Sequence, residues 1–404
     1  MSEHNSTTPM APMSPRLTWF MAISVGLIVA NGYYAQPILA ELGREFALDA
    51  KDAGRIVMTT QMGTALGMLT VVPLGDTREL RRLITTLLMV ATTALLGMAT
   101  AQTSLALFVA SFGVGMTTSI VHLIVPYSAH LAAPEQRGRV VGTVLSGLLV
   151  GILLARTVSG LTAGLIGWRG VYWSSAGIML TLAILTRRLL PPRPATVHMK
   201  YKDLLRSVVD LMRKHQALRE AAFISAMLFA AFSALWTTLI FLLEAPPFNY
   251  GAKAAGLFGL VGAIGAAGAP LFGRLSDRIG PRATVGYALA ITLVGFIVLA
   301  AWGKTITGLI IGILLMDLGV QSGHVANQTR IYGIDPTARG RLNTGYMVTY
   351  FIGGAFGSAA GAFFWQQFEW LGVCMFAIGA IAVAIGLLLK TTRAGISSGS
   401  LATK

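Results

Sequence analysis

Four polar side chains lie along one face of the segment 306–332, which is otherwise apolar. Asp317, Gln321, His324 and Gln328 are separated by four, three and four residues, and this spacing places them on one side of an α-helix. A carboxyl group and an imidazole can each bind and release a proton, and amides can hold a polar solute. The pattern predicts a cavity for protons and a solute, with Asp317 as the main proton-coupling group and His324 contributing. An internal polar network that only stiffens the helices is the alternative.

A single arginine, Arg156, lies inside another apolar segment, 141–165. Its guanidinium does not lose its proton in practice, so a position in mid-membrane requires a carboxylate or an anionic ligand nearby. Three roles are open: a permanent ion pair that holds the helices together, a switchable pair with Asp317 that assists proton coupling, or direct binding of an anionic solute.

Two tyrosines and two amides cluster in the sequence NGYYAQP at 31–37, inside the first apolar segment. Aromatic rings with polar tips suit a cavity for an amphipathic organic solute, and these tyrosines lie too deep for the membrane interface to be preferred. The predicted solute-binding residues are Asn31, Tyr33, Tyr34, Gln36, His122, Arg156, Trp236, Gln321, His324 and Gln328.

The sequence contains no P-loop, no HExxH motif and no His and Cys set at metal-binding spacing. We therefore expect no cofactor, no bound metal and no enzymatic activity, and the missing nucleotide site argues against an ATP-driven pump. Because Cys374 is the only cysteine, an internal disulfide is impossible.

Composition indicates which elements must hold these residues. The chain has 404 residues, of which 54% are hydrophobic and only 12% charged, with a mean hydropathy of +0.69; soluble chains carry about 25% charged residues. The excess apolar surface must face lipid. A net charge of +15 would suggest nucleic-acid binding in a soluble protein, but here the cations lie mostly between apolar runs and indicate topology.

Twelve apolar runs are long enough to cross a bilayer, and they are too long and uniform for β-barrel strands. They lie at about 17–40, 54–74, 83–102, 105–131, 141–165, 170–190, 217–243, 254–273, 283–302, 306–332, 343–366 and 370–390. With the amino terminus inside, 24 of the 31 Lys and Arg residues fall in inner loops and tails, and six in outer loops. The positive-inside rule therefore predicts that both termini are inside.

A basic linker divides the chain. The expected parts are a cytoplasmic tail at 1–16, a six-helix bundle at 17–190, a cytoplasmic linker at 191–216, a second six-helix bundle at 217–391 and a cytoplasmic tail at 392–404. Within the linker, the segment 201–215 has the pattern of a basic amphipathic helix that could lie on the inner membrane surface.

An internal repeat relates the two bundles at an offset of 201 to 202 residues. The loop PEQRGRV at 134–140 corresponds to PTARGRL at 336–342. The other matched pairs are Asp76 with Asp277, Arg81 with Arg282, His122 with His324, and Trp168 with Trp370. A parallel repeat about an axis along the membrane normal brings a solute site to the interface between the halves, near the midplane.

These residues resemble the major facilitator superfamily across essentially all twelve segments. The loop GRLSDRIGPR after the eighth segment looks like the inner-loop signature of that family, and PLGDTRELRR after the second segment is a partial copy. The matching residues are Gly273, Asp277, Arg278 and Arg282 in the loop after the eighth segment, and Asp76, Arg81 and Arg82 in the loop after the second segment. The sequence GILLARTVSG at 151–160 resembles the small-residue signature of proton-coupled exporters, with Arg156 where that signature has proline. The arginine of such exporters near the start of the fourth helix is absent.

The two inner loops are interpreted as a gate, because a carboxylate facing a cationic cluster can form contacts that break when the halves rock. Fixing the topology alone is the alternative role of these cations. The predicted gating residues are Asp76, Arg81, Arg82, Arg137, Asp277, Arg278, Arg282 and Arg339.

The expected fold is an all-α integral membrane protein with twelve helices in two pseudo-symmetric six-helix bundles. The resemblance implies a secondary active transporter of the bacterial inner membrane that moves a small amphipathic organic compound by alternating access, with proton-coupled export (antiport) as the leading expectation. An importer or exchanger of organic anions that uses Arg156 is the alternative. A sensor or enzyme without transport fits less well, because the linker and tails leave no room for an output domain. The expected partners are the solute, protons and lipid, without nucleic acid, and a monomer is expected.

Overall fold

The computed structural model describes residues 13–194, 201–268, 272, 276 and 278–401, with side chains described as far as residue 391. Regular structure in this part of the chain is helical. The helices are α1 Pro15–Ala30, α2 Leu39–Glu45, α3 Ala50–Thr70, α4 Leu74–Thr77, α5 Leu80–Thr100, α6 Ser104–Thr118, α7 Val121–Leu131, α8 Arg137–Leu189, α9 Tyr201–Lys214, α10 Gln216–Glu244, α11 Ala252–Ala267, α12 Pro281–Trp302, α13 Ile306–Tyr332 and α14 Arg339–Leu401, with a 3-10 turn at Gln36–Ile38.

Polar capping residues fix where several membrane helices begin. The side chains of Ser14, Asp49, Thr103 and Thr305 accept hydrogen bonds from backbone N–H groups in the first turns of α1, α3, α6 and α13. Each stands at the boundary between a polar loop and an apolar run, and it satisfies a helix N–H group that has no carbonyl partner within the helix.

The two longest helices, α8 and α14, each reverse once and therefore supply two crossings. The reversals occur at Gly167, with a φ of 75°, and at Phe368 and Glu369, where the φ of Glu369 is 51°. Eight spans are long and apolar enough to cross a membrane, with α3 continuing into α4 and α6 into α7, while α1 and α11 are shorter apolar helices. With the two reversals counted, the described residues contain the twelve helices that the sequence predicts.

Equivalent contacts recur in the two halves, as the sequence repeat predicts. Both reversals come immediately before the matched residues Trp168 and Trp370. In the matched loops at 134–140 and 336–342, Nε of Arg137 donates to the carbonyl of Ala129 at 2.9 Å. The matched Arg339 donates from Nε to the carbonyl of Tyr332 at 3.3 Å.

Small residues bring pairs of helices together within each half. A Cβ atom at Gly151 of α8 would lie 2.3 Å from the carbonyl oxygen of Gly26 in α1, and a Cβ at Gly353 of α14 would lie 2.3 Å from that of Ala226 in α10. Such distances exclude any side chain, so glycine is required for this approach. Gly151, in the small-residue sequence GILLARTVSG of the fifth apolar segment, therefore packs within one half.

The halves contact each other at one end of the molecule. A Cβ at Gly160 of α8 would lie 2.4 Å from the carbonyl oxygen of Ala252 in α11, and a Cβ at Gly54 of α3 would lie 2.4 Å from Ala362 in α14. Two side-chain bonds reinforce this end. Arg44 forms an ion pair of 2.5 Å with Glu244, and Nε2 of Gln366 donates to Oδ2 of Asp49 at 2.8 Å.

The helix of the linker, α9, docks on the protein. Its residues Leu204 and Val208 are buried, and Met212 lies against Gly345 at the start of α14. The hydroxyl of Tyr201 donates to the carbonyl of Thr70 at 2.7 Å. The apolar face thus packs against the carboxy-terminal half, and Tyr201 reaches the other half through its hydroxyl. The interpretation as a membrane-surface helix is therefore not supported for this face.

Candidate functional site

Arg156 lies at the interface between the halves and is buried, with 3% of its surface exposed. Its Nε donates a hydrogen bond of 2.6 Å to Oε1 of Gln36. The guanidinium carbon is 4.1 Å from a ring centre of Trp236, 4.9 Å from Tyr33 and 5.3 Å from Phe232. Aromatic faces attract a cation at these distances. The amino-terminal half contributes Tyr33 and Gln36 and the other half contributes Phe232 and Trp236, so Arg156 reaches across the interface.

Asp317 lies on α13 in the opposite half and is also buried, with 3% exposed. Its carboxyl group fits against α11 because that helix has glycine there: a Cβ at Gly262 would lie 2.6 Å from Oδ2 of Asp317, and one at Gly265 would lie 3.2 Å from its Cβ. Electrostatic attraction connects Asp317 with Arg156. Among the ion pairs of the described residues, however, none joins the two within 4.0 Å.

Four polar atoms near these charges have no hydrogen-bond partner in the described structure: Nη2 of Arg156, Nε2 of Gln36, Nε1 of Trp236 and Oδ2 of Asp317. The indole N–H of Trp236 points towards the Asp317 carboxyl, but the two do not meet ordinary hydrogen-bond geometry. A cavity of about 10 Å³ lies beside Gln36, Arg156 and Trp236, with room for about one water molecule.

Stacked aromatic rings extend from this point along α10 and α14. Phe229 stacks on Tyr350 with ring centres 4.0 Å apart and on Phe232 at 5.5 Å. Tyr350 in turn lies within electrostatic range of Tyr33 in the other half. The sequence predicts Tyr33 and Trp236 for this site, but not Phe229, Phe232 and Tyr350. The spacing of Phe229, Phe232 and Trp236, by three and then four residues on one face of α10, was the available signal for the first two.

The two matched histidines lie near each other across the interface. His324 of α13 contacts the hydroxyl of Tyr346 through Nδ1 at 3.0 Å, and its ring centre is 4.8 Å from that of Tyr350. His122 of α7 is close enough for its charge to act on His324. The repeat therefore places an imidazole on each side of the same interface.

A buried network continues from His324 through the carboxy-terminal half. The hydroxyl of Tyr346 donates to Oγ of Ser225 at 2.9 Å, and Nδ2 of Asn327 donates to the same oxygen at 2.9 Å. The side chain of Arg330 donates to Asn327 at 3.0 Å.

This network ends at Glu220, which is 6% exposed. Its Oε1 lies 2.9 Å from Arg330 and 3.3 Å from Arg282. A buried carboxylate needs a nearby opposite charge to offset its loss of hydration. Here two arginines supply that charge. Sequence analysis missed Glu220, because it stands at the start of an apolar run in a basic region and looks like a solvated residue.

The family model described as Major Facilitator Superfamily matches residues 21–332 and again 266–400. This chain belongs to the Major Facilitator Superfamily. It is 44% identical over 383 residues to a protein of Escherichia coli O157:H7 named "Uncharacterized transporter YgaY", covering 95% of this chain and 97% of that one. It is 32% identical over 355 residues to a "Probable transporter" of Streptomyces coelicolor, covering 88% and 82%. The chain is therefore a multi-pass membrane transporter.

A solved structure of the same fold is a bacterial homologue of the human lysosomal transporter Spinster, described as inward-facing and unoccupied. It matches this superfamily member with a TM-score of 0.79 at 13% sequence identity, covering 94% of this chain and 98% of that one. At this identity the likeness concerns the fold.

The remaining residues that were predicted to bind solute lie at different depths of the superfamily fold. Asn31 bonds within its own half: its Oδ1 accepts from Ser175, and its Nδ2 contacts Sδ of Met179 at 3.5 Å. Tyr34 accepts at its backbone carbonyl from Oγ of Ser159 at 2.7 Å. Gln321 is partly exposed on the polar stripe.

At the end of that stripe, Gln328 donates to Oδ1 of Asn343 at 3.3 Å. The structure thus brings Tyr33, Gln36, Arg156 and Trp236 together around the charges. Asn31 and Gln328 bond elsewhere.

The loop that precedes α5 in the first half is organised by Glu79. Its carboxylate accepts from the backbone N–H groups of Arg81 and Arg82 at 2.9 and 3.0 Å, while the Arg81 side chain donates to the carbonyl of Leu190 at 3.3 Å. Asp76 is exposed, and the cation that acts on it is Arg193 of the linker. In this conformation the loop carboxylate that bonds the arginine pair is therefore Glu79.

In the second half, Arg282 donates to the carbonyl of Leu388 at 3.0 Å and also bonds Thr391. Arg278 is exposed. Asp277, the predicted carboxylate partner in this loop, lies outside the described residues.

Proposed function

We propose that this transporter carries a small amphipathic organic compound across the bacterial inner membrane by alternating access, and that protons drive it through Asp317. The observation that supports the proposal best is the pair of opposite charges Arg156 and Asp317. They are buried on opposite halves, and no ion pair within 4.0 Å joins them. A fixed structural pair would be expected to close to contact distance.

The chemistry divides between the two side chains. Asp317 can take up and release a proton, whereas Arg156 stays charged. A proton on Asp317 removes the attraction between the halves, and its loss restores that attraction. In an alternating-access protein, such a change favours one arrangement of the halves over the other.

The direction of transport follows from separate arguments. Export by antiport is favoured by the resemblance of the fifth segment to proton-coupled exporters. The second candidate, transport of an organic anion, is favoured by the unpartnered Nη2 of Arg156. Lys and Arg placement predicts that both termini are inside, which would make the described conformation inward-facing; labelling of single cysteines on each face would check this.

The test uses protein reconstituted in lipid vesicles with an imposed pH gradient and a panel of labelled solutes: benzoate, phenylacetate, benzylamine and ethidium. We expect the wild-type chain to concentrate at least one solute, and Asp317→Asn to lose this accumulation while it still exchanges solute across the membrane. Asp210→Asn is the matched control, because Asp210 is an exposed carboxylate on α9. Accumulation by Asp317→Asn at the wild-type level would show that another group couples the proton.

A further inference from the structure

Three residues that line the small cavity beside α8 each carry a buried nitrogen donor without an acceptor. The donors are Nη2 of Arg156, Nε2 of Gln36 and Nε1 of Trp236, and each residue is exposed by 3% or less. Buried donors are normally paired, so a group of three unpaired ones requires an explanation. Near them, the acceptor that lacks a partner is Oδ2 of Asp317. The site therefore offers more donors than acceptors.

We infer that this cavity receives one oxygen of the acid group of an organic anion, an aryl or alkyl carboxylate, and that the anion binds together with one proton on Asp317. The inference rests on the proposed function, because it assigns the substrate class of that same site. A carboxylate has about four acceptor positions on two oxygens, and arginine can bind it with two parallel hydrogen bonds. The cavity of about 10 Å³ holds about one oxygen-sized atom, so the rest of the solute would lie outside it.

Aromatic surface next to the donors suits the apolar part of such a solute. Tyr33, Phe232 and Trp236 surround the guanidinium, and the stack continues to Phe229 and Tyr350. These rings are buried against one another in the described arrangement, and a movement of the halves that parts them would offer flat faces to an aryl group and apolar contact to an alkyl chain. Neutral sugars, in contrast, have no charge to place against Arg156.

Charge balance decides how the proton participates. With Arg156 and Asp317 both ionised, the empty site has no net charge. An anion that binds Arg156 leaves the Asp317 carboxylate as an uncompensated buried charge, which is costly in a membrane interior. One proton taken from water by that carboxylate restores neutrality. Binding an organic cation to Asp317 would instead leave Arg156 uncompensated. The site therefore favours an anion and a proton on the protein at the same time, which is symport and supports the organic-anion candidate over export by antiport.

The groups that face Asp317 are consistent with this assignment. From α8 the charged neighbour is Arg156, from α14 the titratable neighbour is Tyr350, and α10 presents the indole of Trp236. The adjacent face of α11 presents Gly262 and Gly265. Among the groups that these helices bring together, Asp317 is thus the carboxylate that can take up the proton.

Binding can be measured without knowing the natural solute, from the melting temperature of the purified protein in detergent. The probes are benzoate, phenylacetate and hexanoate, with benzylamine and benzyl alcohol as a cation and a neutral molecule of similar shape. We expect at least one carboxylate to raise the melting temperature, and its affinity to fall by up to about tenfold per unit increase in pH, because one proton binds with it. The amine and the alcohol should have no effect.

Two variants separate this inference from the proposed function. Arg156→Gln should lose the carboxylate effect, whereas Arg188→Gln, at an exposed arginine near the end of α8, should keep it. Asp317→Asn should still bind carboxylate but without pH dependence. Stabilisation by the amine, no effect of any carboxylate, or carboxylate binding that survives Arg156→Gln would each overturn the substrate class. Binding through Arg156 in a protein whose flux ignores the pH gradient would instead refute the proton coupling alone.

Discussion

Two side chains, Arg156 and Asp317, carry the charge at the centre of the molecule, and the sequence was enough to select both. A lone charge inside an apolar run is conspicuous because burying it is expensive. The hydrogen bond from Arg156 to Gln36, 120 residues away in the chain, could not be predicted, since it depends on how α8 meets the turn after α1. For the same reason, Glu220 gave no signal until Arg282 and Arg330 were seen around it.

The electrostatic link between Arg156 and Asp317 predicts that their substitutions are not additive. Arg156→Ala leaves the Asp317 carboxylate without its buried counter-charge, and Asp317→Ala does the reverse. We expect the double variant to be more stable than the sum of the single losses predicts, with a coupling free energy of about 0.5–3 kcal/mol. Unfolding in detergent, followed by circular dichroism, measures the four proteins of this cycle.

A parallel cycle provides the control for this measurement. Arg188 is exposed near the end of α8, so Arg188→Ala and Asp317→Ala should add within error. If the losses for Arg156 and Asp317 also add, the two charges do not interact, and Arg156 is left as a ligand for solute alone.

At the scale of helices, periodicity predicted which residues share a face but not which neighbour that face meets. Small residues such as those of α8 allow close packing either inside one half or between the halves. The structure divides these roles: Gly151 meets α1 of its own half, whereas Gly160 meets Ala252 and Gly256 of α11. Nothing in the local pattern distinguishes the two glycines, because each is defined by the partner helix.

The contact between α8 and α11 is so close that adding one methyl group at Gly160 should push the halves apart. A Cβ at Gly160 would lie 2.4 Å from the backbone oxygen of Ala252, and backbone cannot rotate away as a side chain can. We expect Gly160→Ala to lower stability by about 1–3 kcal/mol and to reduce transport. Gly164→Ala lies on the same helix, with nothing within 4 Å of the added Cβ. It should change stability by no more than about 0.5 kcal/mol and leave the transport rate nearly unchanged. Equal effects of the two variants would contradict this role of Gly160.

For the whole molecule, the repeat was the strongest prediction from sequence, and it identified the family and the two-halved fold. The conformation was not predictable, because one sequence must support several arrangements of its halves. In the described arrangement, the halves meet where Arg44 pairs with Glu244 and Asp49 bonds Gln366. The proposed alternating access requires this end to open, so these contacts would break once in every cycle.

Preventing that opening should stop transport. Cys374 is buried, so introduced cysteines can be cross-linked selectively. We expect a bifunctional thiol reagent to cross-link Asp49→Cys with Gln366→Cys and to abolish solute exchange in vesicles, with recovery when the link is reduced.

The control pair, Glu45→Cys with Arg169→Cys, lies at the same end but within one half, where the native side chains are 2.6 Å apart. Its cross-link should leave exchange intact, because the halves can still move apart. Loss of exchange with both pairs would mean that the reagent damages this end of the protein, and full exchange with the first pair linked would mean that the contact stays closed throughout the cycle.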